Sequence, residues 1–142
     1  MSVQRTETED RAEPRRKVLF ADDEAEILEL LKLTFEDDER YEVLLARDGE
    51  QALAMCLAER PELVFLDIHM PKLDGVRVCE RLRRDPATKE TKVVMLTALP
   101  QDSEIDRAMA AGADDYMTKP FSPTQLRRKL LEALGLADAG VS

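Results

Sequence analysis

The sequence predicts an α/β fold built on a five-stranded parallel sheet with helices on both faces. Two observations lead there. Short apolar runs recur along the chain and read as buried strands, and an amphipathic or capped helical pattern follows each one. The runs are Val18–Ala21, Val43–Ala46, Leu63–Leu66 and Val93–Leu96, with a weaker one at Asp115–Thr118. Crossovers between parallel strands are right-handed, which leaves few topologies. The strand order 2-1-3-4-5 is one of the two common solutions at this size, and its ligand site lies beyond the carboxyl ends of the strands.

The helices follow from their start and stop signals. The first is expected over about Glu24–Asp37, with Ile27, Leu28, Leu31 and Phe35 on one face. The second begins at Asp48, where Asp48 and Gln51 have capping-box spacing, and Pro61 follows its end. The third spans about Asp74–Arg84 and stops before Pro86; the fourth spans about Asp102–Ala111, with Gly112 as its C-terminal stop. The last opens on Ser122-Pro123-Thr124-Gln125, which supplies an N-cap, an N1 proline and a capping box, and it ends at Gly135. Residues 1–16 lack apolar periodicity and read as a disordered, charge-mixed tail; 17–134 form one domain, and 135–142 a short C-terminal tail.

Composition narrows the function. The 142 residues are 44% hydrophobic and 36% charged, enough for a core without disulfides. No apolar run approaches a membrane span, and no signal-peptide core follows Met1. Cys56 and Cys79 have neither metal-type nor redox-type spacing and read as reduced, buried residues of a cytoplasmic protein. With 21 bases against 30 acids the net charge is −9, and the tail through Arg16 is balanced, so the excess sits in the folded part. Such a surface repels a phosphate backbone, which argues against direct nucleic-acid binding.

Polar residues then fall at the strand ends. Asp22 and Asp23 follow the first strand, Asp67 the third, Thr97 the fourth and Lys119 the fifth. Singly, each aspartate is a common cap or turn residue. Together they bring three carboxylates, a hydroxyl and an amine to the one sheet edge that binds ligands. Converging carboxylates repel one another unless a cation neutralises them, and a hydrated oxygen site suits Mg²⁺. A metal beside one carboxylate, with lysine and threonine donors, makes a place for a phosphoryl group, and the carboxylate can attack it as nucleophile.

Four segments carry a family resemblance: Val18-Leu19-Phe20-Ala21-Asp22-Asp23-Glu24, Leu66-Asp67-Ile68-His69-Met70-Pro71-Lys72-Leu73-Asp74-Gly75, Val94-Met95-Leu96-Thr97-Ala98, and Gly112-Ala113-Asp114-Asp115-Tyr116-Met117-Thr118-Lys119-Pro120-Phe121. In this order they resemble the receiver domains of bacterial two-component response regulators, over about Lys17–Leu134, with a flavodoxin-like fold. The resemblance implies that Asp67 accepts a phosphoryl group from a histidine kinase. Asp23 would ligate Mg²⁺ directly, Asp22 mainly through water, and the backbone carbonyl of His69 would be a further ligand beside Asp67. Thr97 and Lys119 would contact phosphoryl oxygens. Tyr116 would move inward when Thr97 is drawn to the phosphate, carrying the signal to a face of the fourth helix, fifth strand and fifth helix that binds a downstream protein. The Lys119–Pro120 peptide would be cis. His69 and Leu99 occupy positions that tune hydrolysis in the family. Ile105 and Gln125 stand where dimerising relatives pair a base with an acid, so a monomer or weak dimer is expected.

Two rival readings are weaker. An aspartate-nucleophile phosphatase would carry a second aspartate two residues after the first; that position is His69, and no cap domain is present. A receiver that works without phosphorylation would lack part of the acidic pair, the acceptor or the lysine, and all are here. His69, the one histidine, reads as an exposed loop side chain with no acid–base partner, and Asp74-Gly75 as the turn that starts the third helix.

Overall fold

The computed structural model describes residues 15–98 and 101–136. The expected tail over 1–14, and residues 137–142, lie outside them. In chain order the elements are β1 (Arg16–Ala21), α1 (Ala25–Phe35), β2 (Tyr41–Ala46), α2 (Gly49–Glu59), β3 (Leu63–Asp67), α3 (Gly75–Arg84), β4 (Lys92–Thr97), α4 (Asp102–Ala110), β5 (Asp115–Thr118) and α5 (Pro123–Ala133). All strand pairs are parallel, in the order β2-β1-β3-β4-β5. This is the anticipated doubly wound sheet.

Side chains alternate across the sheet with the period-2 pleat, and both faces are apolar. Leu19, Val64, Leu66, Val93 and Met95 pack one way, under Ala52 and Cys56 of α2, Val78, Cys79 and Leu82 of α3, and Ala108 of α4. Val18, Phe20, Leu63, Phe65, Val94 and Leu96 pack the other way, against Leu28, Leu31 and Phe35 of α1 and Leu126 and Leu130 of α5. Phe20 stacks on Phe65 and Phe35 at centroid distances of 4.9 and 5.8 Å, which anchors the second layer.

The caps form largely as the residues dictate. Asp48 accepts from Gln51 N at 2.8 Å, although the Gln51 side chain takes the Arg47 N–H rather than closing a reciprocal box. Asp74 caps α3, and Ser122 with Gln125 closes the full box on α5. One boundary differs from expectation. Arg16, assigned to the tail, begins β1: its N–H pairs with the Arg40 carbonyl, and its guanidinium grips Glu62 at 2.8 Å. An ion pair across 46 residues leaves no mark in local periodicity. Among the described residues, no helix is long and apolar enough to cross a membrane.

Candidate functional site

The sheet brings its carboxyl ends to one edge. Asp67 and Thr97 are the last residues of β3 and β4; Asp22 and Lys119 are the first beyond β1 and β5. The register pairs Asp67 with Leu96 and Thr97 with Thr118, so these ends stand side by side.

Asp22, Asp23 and Asp67 each present a carboxylate oxygen, and these oxygens lie within 4.8 Å of one another. Asp22 and Asp67 are buried while Asp23 is exposed. The ammonium of Lys119 sits among the acids, 2.7 Å from Asp22 Oδ2, 3.2 Å from Asp67 Oδ2 and 3.2 Å from Glu24 Oε1. Asp22 Oδ1 accepts from Glu24 N at 2.9 Å, and Asp67 Oδ1 from His69 N at 3.2 Å. Lys119 approaches Asp22 Oδ2 from an angle outside hydrogen-bond geometry, so this fully buried oxygen has a charged neighbour but no hydrogen bond. The three carboxylates outnumber the Lys119 ammonium set among them, and a cation coordinated there would offset the remaining negative charge. The donor set of hard oxygens, partly open at Asp23, fits Mg²⁺.

Charge is unevenly matched at this edge. Burial, with the neighbouring charge of Asp22, pushes the Asp67 carboxyl up to about 6 against the pull of Lys119. For Lys119, burial works to lower its pKa, but the Asp22 contact and the charges of Asp67 and Asp22 outweigh it and hold the ammonium above its ordinary value.

The remaining expected residues take other positions. Thr97 is buried, and its hydroxyl donates to Glu104 Oε1 at 3.1 Å. Tyr116 stands 38% exposed on the outer side of β5, beside Pro120, Gln125 and Lys129. The Lys119–Pro120 peptide is cis. Leu99 lies outside the described residues. His69 departs from its reading: the side chain is exposed as expected, but it has a partner, with Nε2 2.6 Å from Glu104 Oε2.

Three contributors escaped the sequence reading. Glu24 is the N-cap residue of α1 and Glu104 stands in the first turn of α4, and the sequence assigns neither a role at the site. Gly75 was read as a turn residue, yet a Cβ there would lie 2.4 Å from the Asp67 carbonyl oxygen. Its hydrogen atom is what lets α3 close on the acceptor loop, where Gly75 N donates to Ile68 O at 2.9 Å.

Comparison with known proteins decides the family. The model of the response regulator receiver domain matches residues 18–131. The chain belongs to that family. As a receiver domain it works in two-component signalling, where such domains act with histidine kinases and downstream effectors. It is 43% identical over 117 residues to the alkaline phosphatase synthesis transcriptional regulatory protein PhoP of Bacillus subtilis, covering 81% of this chain and 47% of that one. It is 38% identical over 122 residues to the DNA-binding dual master transcriptional regulator RpaA of Synechocystis, covering 86% and 50%. The receiver domain thus spans about half the length of these relatives. RpaA is a DNA-binding regulator, which conflicts in part with the expectation of no direct nucleic-acid contact. Among solved structures, a receiver domain of a sensor histidine kinase from Pseudomonas aeruginosa superposes with a TM-score of 0.77 at 25% identity, covering 85% of this chain and 98% of that one. That protein holds a magnesium ion in its active-site cleft.

Proposed function

We propose that Asp67 is the phosphoacceptor, taking its phosphoryl group from the phosphohistidine of a sensor histidine kinase. The observation that carries this reading is the Lys119 ammonium set between Asp22 and Asp67 at 2.7 and 3.2 Å, on the edge where three carboxylates meet. In the transfer, a carboxylate oxygen of Asp67 forms a bond to phosphorus as the phosphorus–nitrogen bond of the donor imidazole breaks. Lys119 holds Asp67 in place and offers a positive charge to the phosphoryl oxygens. Asp22, Asp23, Asp67 and the backbone carbonyl of His69 would hold Mg²⁺. When bound, that ion supplies positive charge against the transferring group and relieves crowding among the acids.

On this reading the domain catalyses nothing beyond its own phosphorylation and dephosphorylation. The signal leaves through Thr97 and Tyr116 to the α4–β5–α5 face, where a downstream protein binds. The folded part, with the whole negative excess, makes no direct contact with nucleic acid or membrane. The setting is the cytoplasm, consistent with free, buried thiols at Cys56 and Cys79 that burial pushes up to about 12 and 11.

Intact mass after incubation with acetyl phosphate tests the reading. The wild type should gain one phosphoryl group when Mg²⁺ is present and none when it is chelated, and Asp67→Asn should gain none. Equal labelling of the variant would remove Asp67 from the role.

A further inference from the structure

One carboxylate joins two features that the phosphoacceptor reading leaves separate. Glu104, in the first turn of α4, accepts from Thr97 Oγ1 at 3.1 Å through Oε1 and lies 2.6 Å from His69 Nε2 through Oε2. An acid in a helix's first turn has an ordinary explanation in the helix dipole. That purpose needs no partner and is served in solvent, as Asp102 and Ser103 in the same turn stand. Glu104 instead keeps only 15% of its side chain exposed. Both its oxygens are spent on residues from two other elements.

We infer that Glu104 is a positioning residue that holds the receiver domain in its unphosphorylated arrangement, an inference that rests on Asp67 being the acceptor. The reason is a count of protons. A threonine hydroxyl has one, and while Thr97 donates it to Glu104 it cannot donate it to a phosphoryl oxygen. Phosphorylation therefore breaks a bond as well as making one. The aspartyl phosphate competes with Glu104 for the same proton and, having replaced the Asp67 carboxylate, adds roughly one negative charge near a second carboxylate. Both effects loosen Glu104 and, with it, the start of α4.

His69 adds a second tie. Its backbone N–H donates to Asp67 Oδ1 at 3.2 Å, while its Nε2 lies 2.6 Å from Glu104 Oε2. The chain of contacts runs from Asp67 through the His69 main chain and side chain to Glu104. From the other side it runs through Thr97 to the same carboxylate. Two routes from the acceptor converge on one residue of α4, and a change at the acceptor reaches that helix without crossing the core.

The test is a titration with beryllofluoride and Mg²⁺, followed by backbone amide shifts of α4, with thermal melts of each variant alongside. Glu104→Ala should bind the phosphoryl mimic about 5-fold tighter or more, since a charged hydrogen bond no longer resists the change. Its mimic-free amide peaks should lie displaced from wild type along the line that joins the free and bound wild-type positions. Glu104→Gln, which keeps an acceptor for Thr97 and the side chain's shape, should show the same changes at smaller size. Should the alanine variant not fold, the glutamine variant carries the comparison. In a Thr97→Ala, His69→Ala background, removing Glu104 should change the affinity much less than it does in wild type. A merely structural glutamate would lower the melting temperature and leave the affinity and the free-state peaks in place. That result, with wild type responding normally, overturns the inference and leaves the phosphoacceptor reading standing. A wild type that never responds to beryllofluoride overturns the reading itself, and the inference with it.

Discussion

Asp67 is the side chain on which burial, charge and chemistry meet. It is 6% exposed, with Asp22 as a like-charged neighbour and Lys119 as its counterion. Its carboxyl is pushed up to about 6, well above its value in an unfolded chain, so the folded state takes up a proton more readily than the unfolded one. The sign follows. This residue's contribution to stability is fullest below about pH 4 and is lost as pH rises through about 6. Metal-free protein should therefore lose stability across that window, and Asp67→Asn should flatten the loss, gaining roughly 1–3 kcal/mol at pH 8. Mg²⁺ should oppose the trend. Binding only the native, ionised site, it should raise the melting temperature above pH 6 and have little effect below pH 4. Melts with and without Mg²⁺ from pH 4 to 8 check this. A metal-free melting temperature that climbs over the same window in wild type and variant alike would contradict the origin assigned to it.

The loop from β3 to α3 shows what an element contributes beyond its own residues. Gly75 opens α3 against the acceptor loop, and Gly49 opens α2 against the far end of the same loop, where a Cβ would lie 1.7 Å from the Leu73 carbonyl oxygen. Both contacts are with backbone, which has little room to yield. Gly75→Ala should cost about 1–3 kcal/mol and displace the loop that carries Asp67, slowing labelling by acetyl phosphate about tenfold or more. Stopped-time labelling and a denaturant melt measure both; a variant matching wild type in each would show that the loop is free to move. The elements themselves were legible because strand and cap signals are local. Val18–Ala21 and Leu63–Leu66 declare buried strands without reference to anything distant, and Ser122 with Gln125 declares a helix start. The strand-end residues Asp22, Asp23, Asp67 and Lys119 were legible because topology alone brings strand ends together. The pairs His69–Glu104 and Lys119–Glu24 were not, since they join residues 35 and 95 apart through side-chain reach, which no periodicity records. The glycine contacts stayed hidden for the same reason: Gly75 beside Asp74 has the composition of a turn whether or not a backbone lies against it.

For the domain as a body, charge and surface set its company. The excess of acids over bases keeps like copies apart. Ile105 offers no charge for an exchange across a dimer, and the Gln125 side chain is committed to the capping box of α5. Asp115 and Lys129 pair within the chain at 2.8 Å instead of reaching outward. A monomer or weak dimer is expected with or without beryllofluoride, as read by light scattering at micromolar concentrations. A stable dimer formed only with the mimic would contradict that and move the output from a partner protein to a second copy. Everything downstream, however, depends on where the phosphoryl group sits. Borohydride reduces an aspartyl phosphate to homoserine and so marks the labelled position in the peptide chain. After acetyl phosphate and Mg²⁺, peptide mass spectrometry should find homoserine at position 67 and aspartate at 22 and 23. Homoserine at either of those positions, or at none, would contradict the assignment of Asp67 as the acceptor.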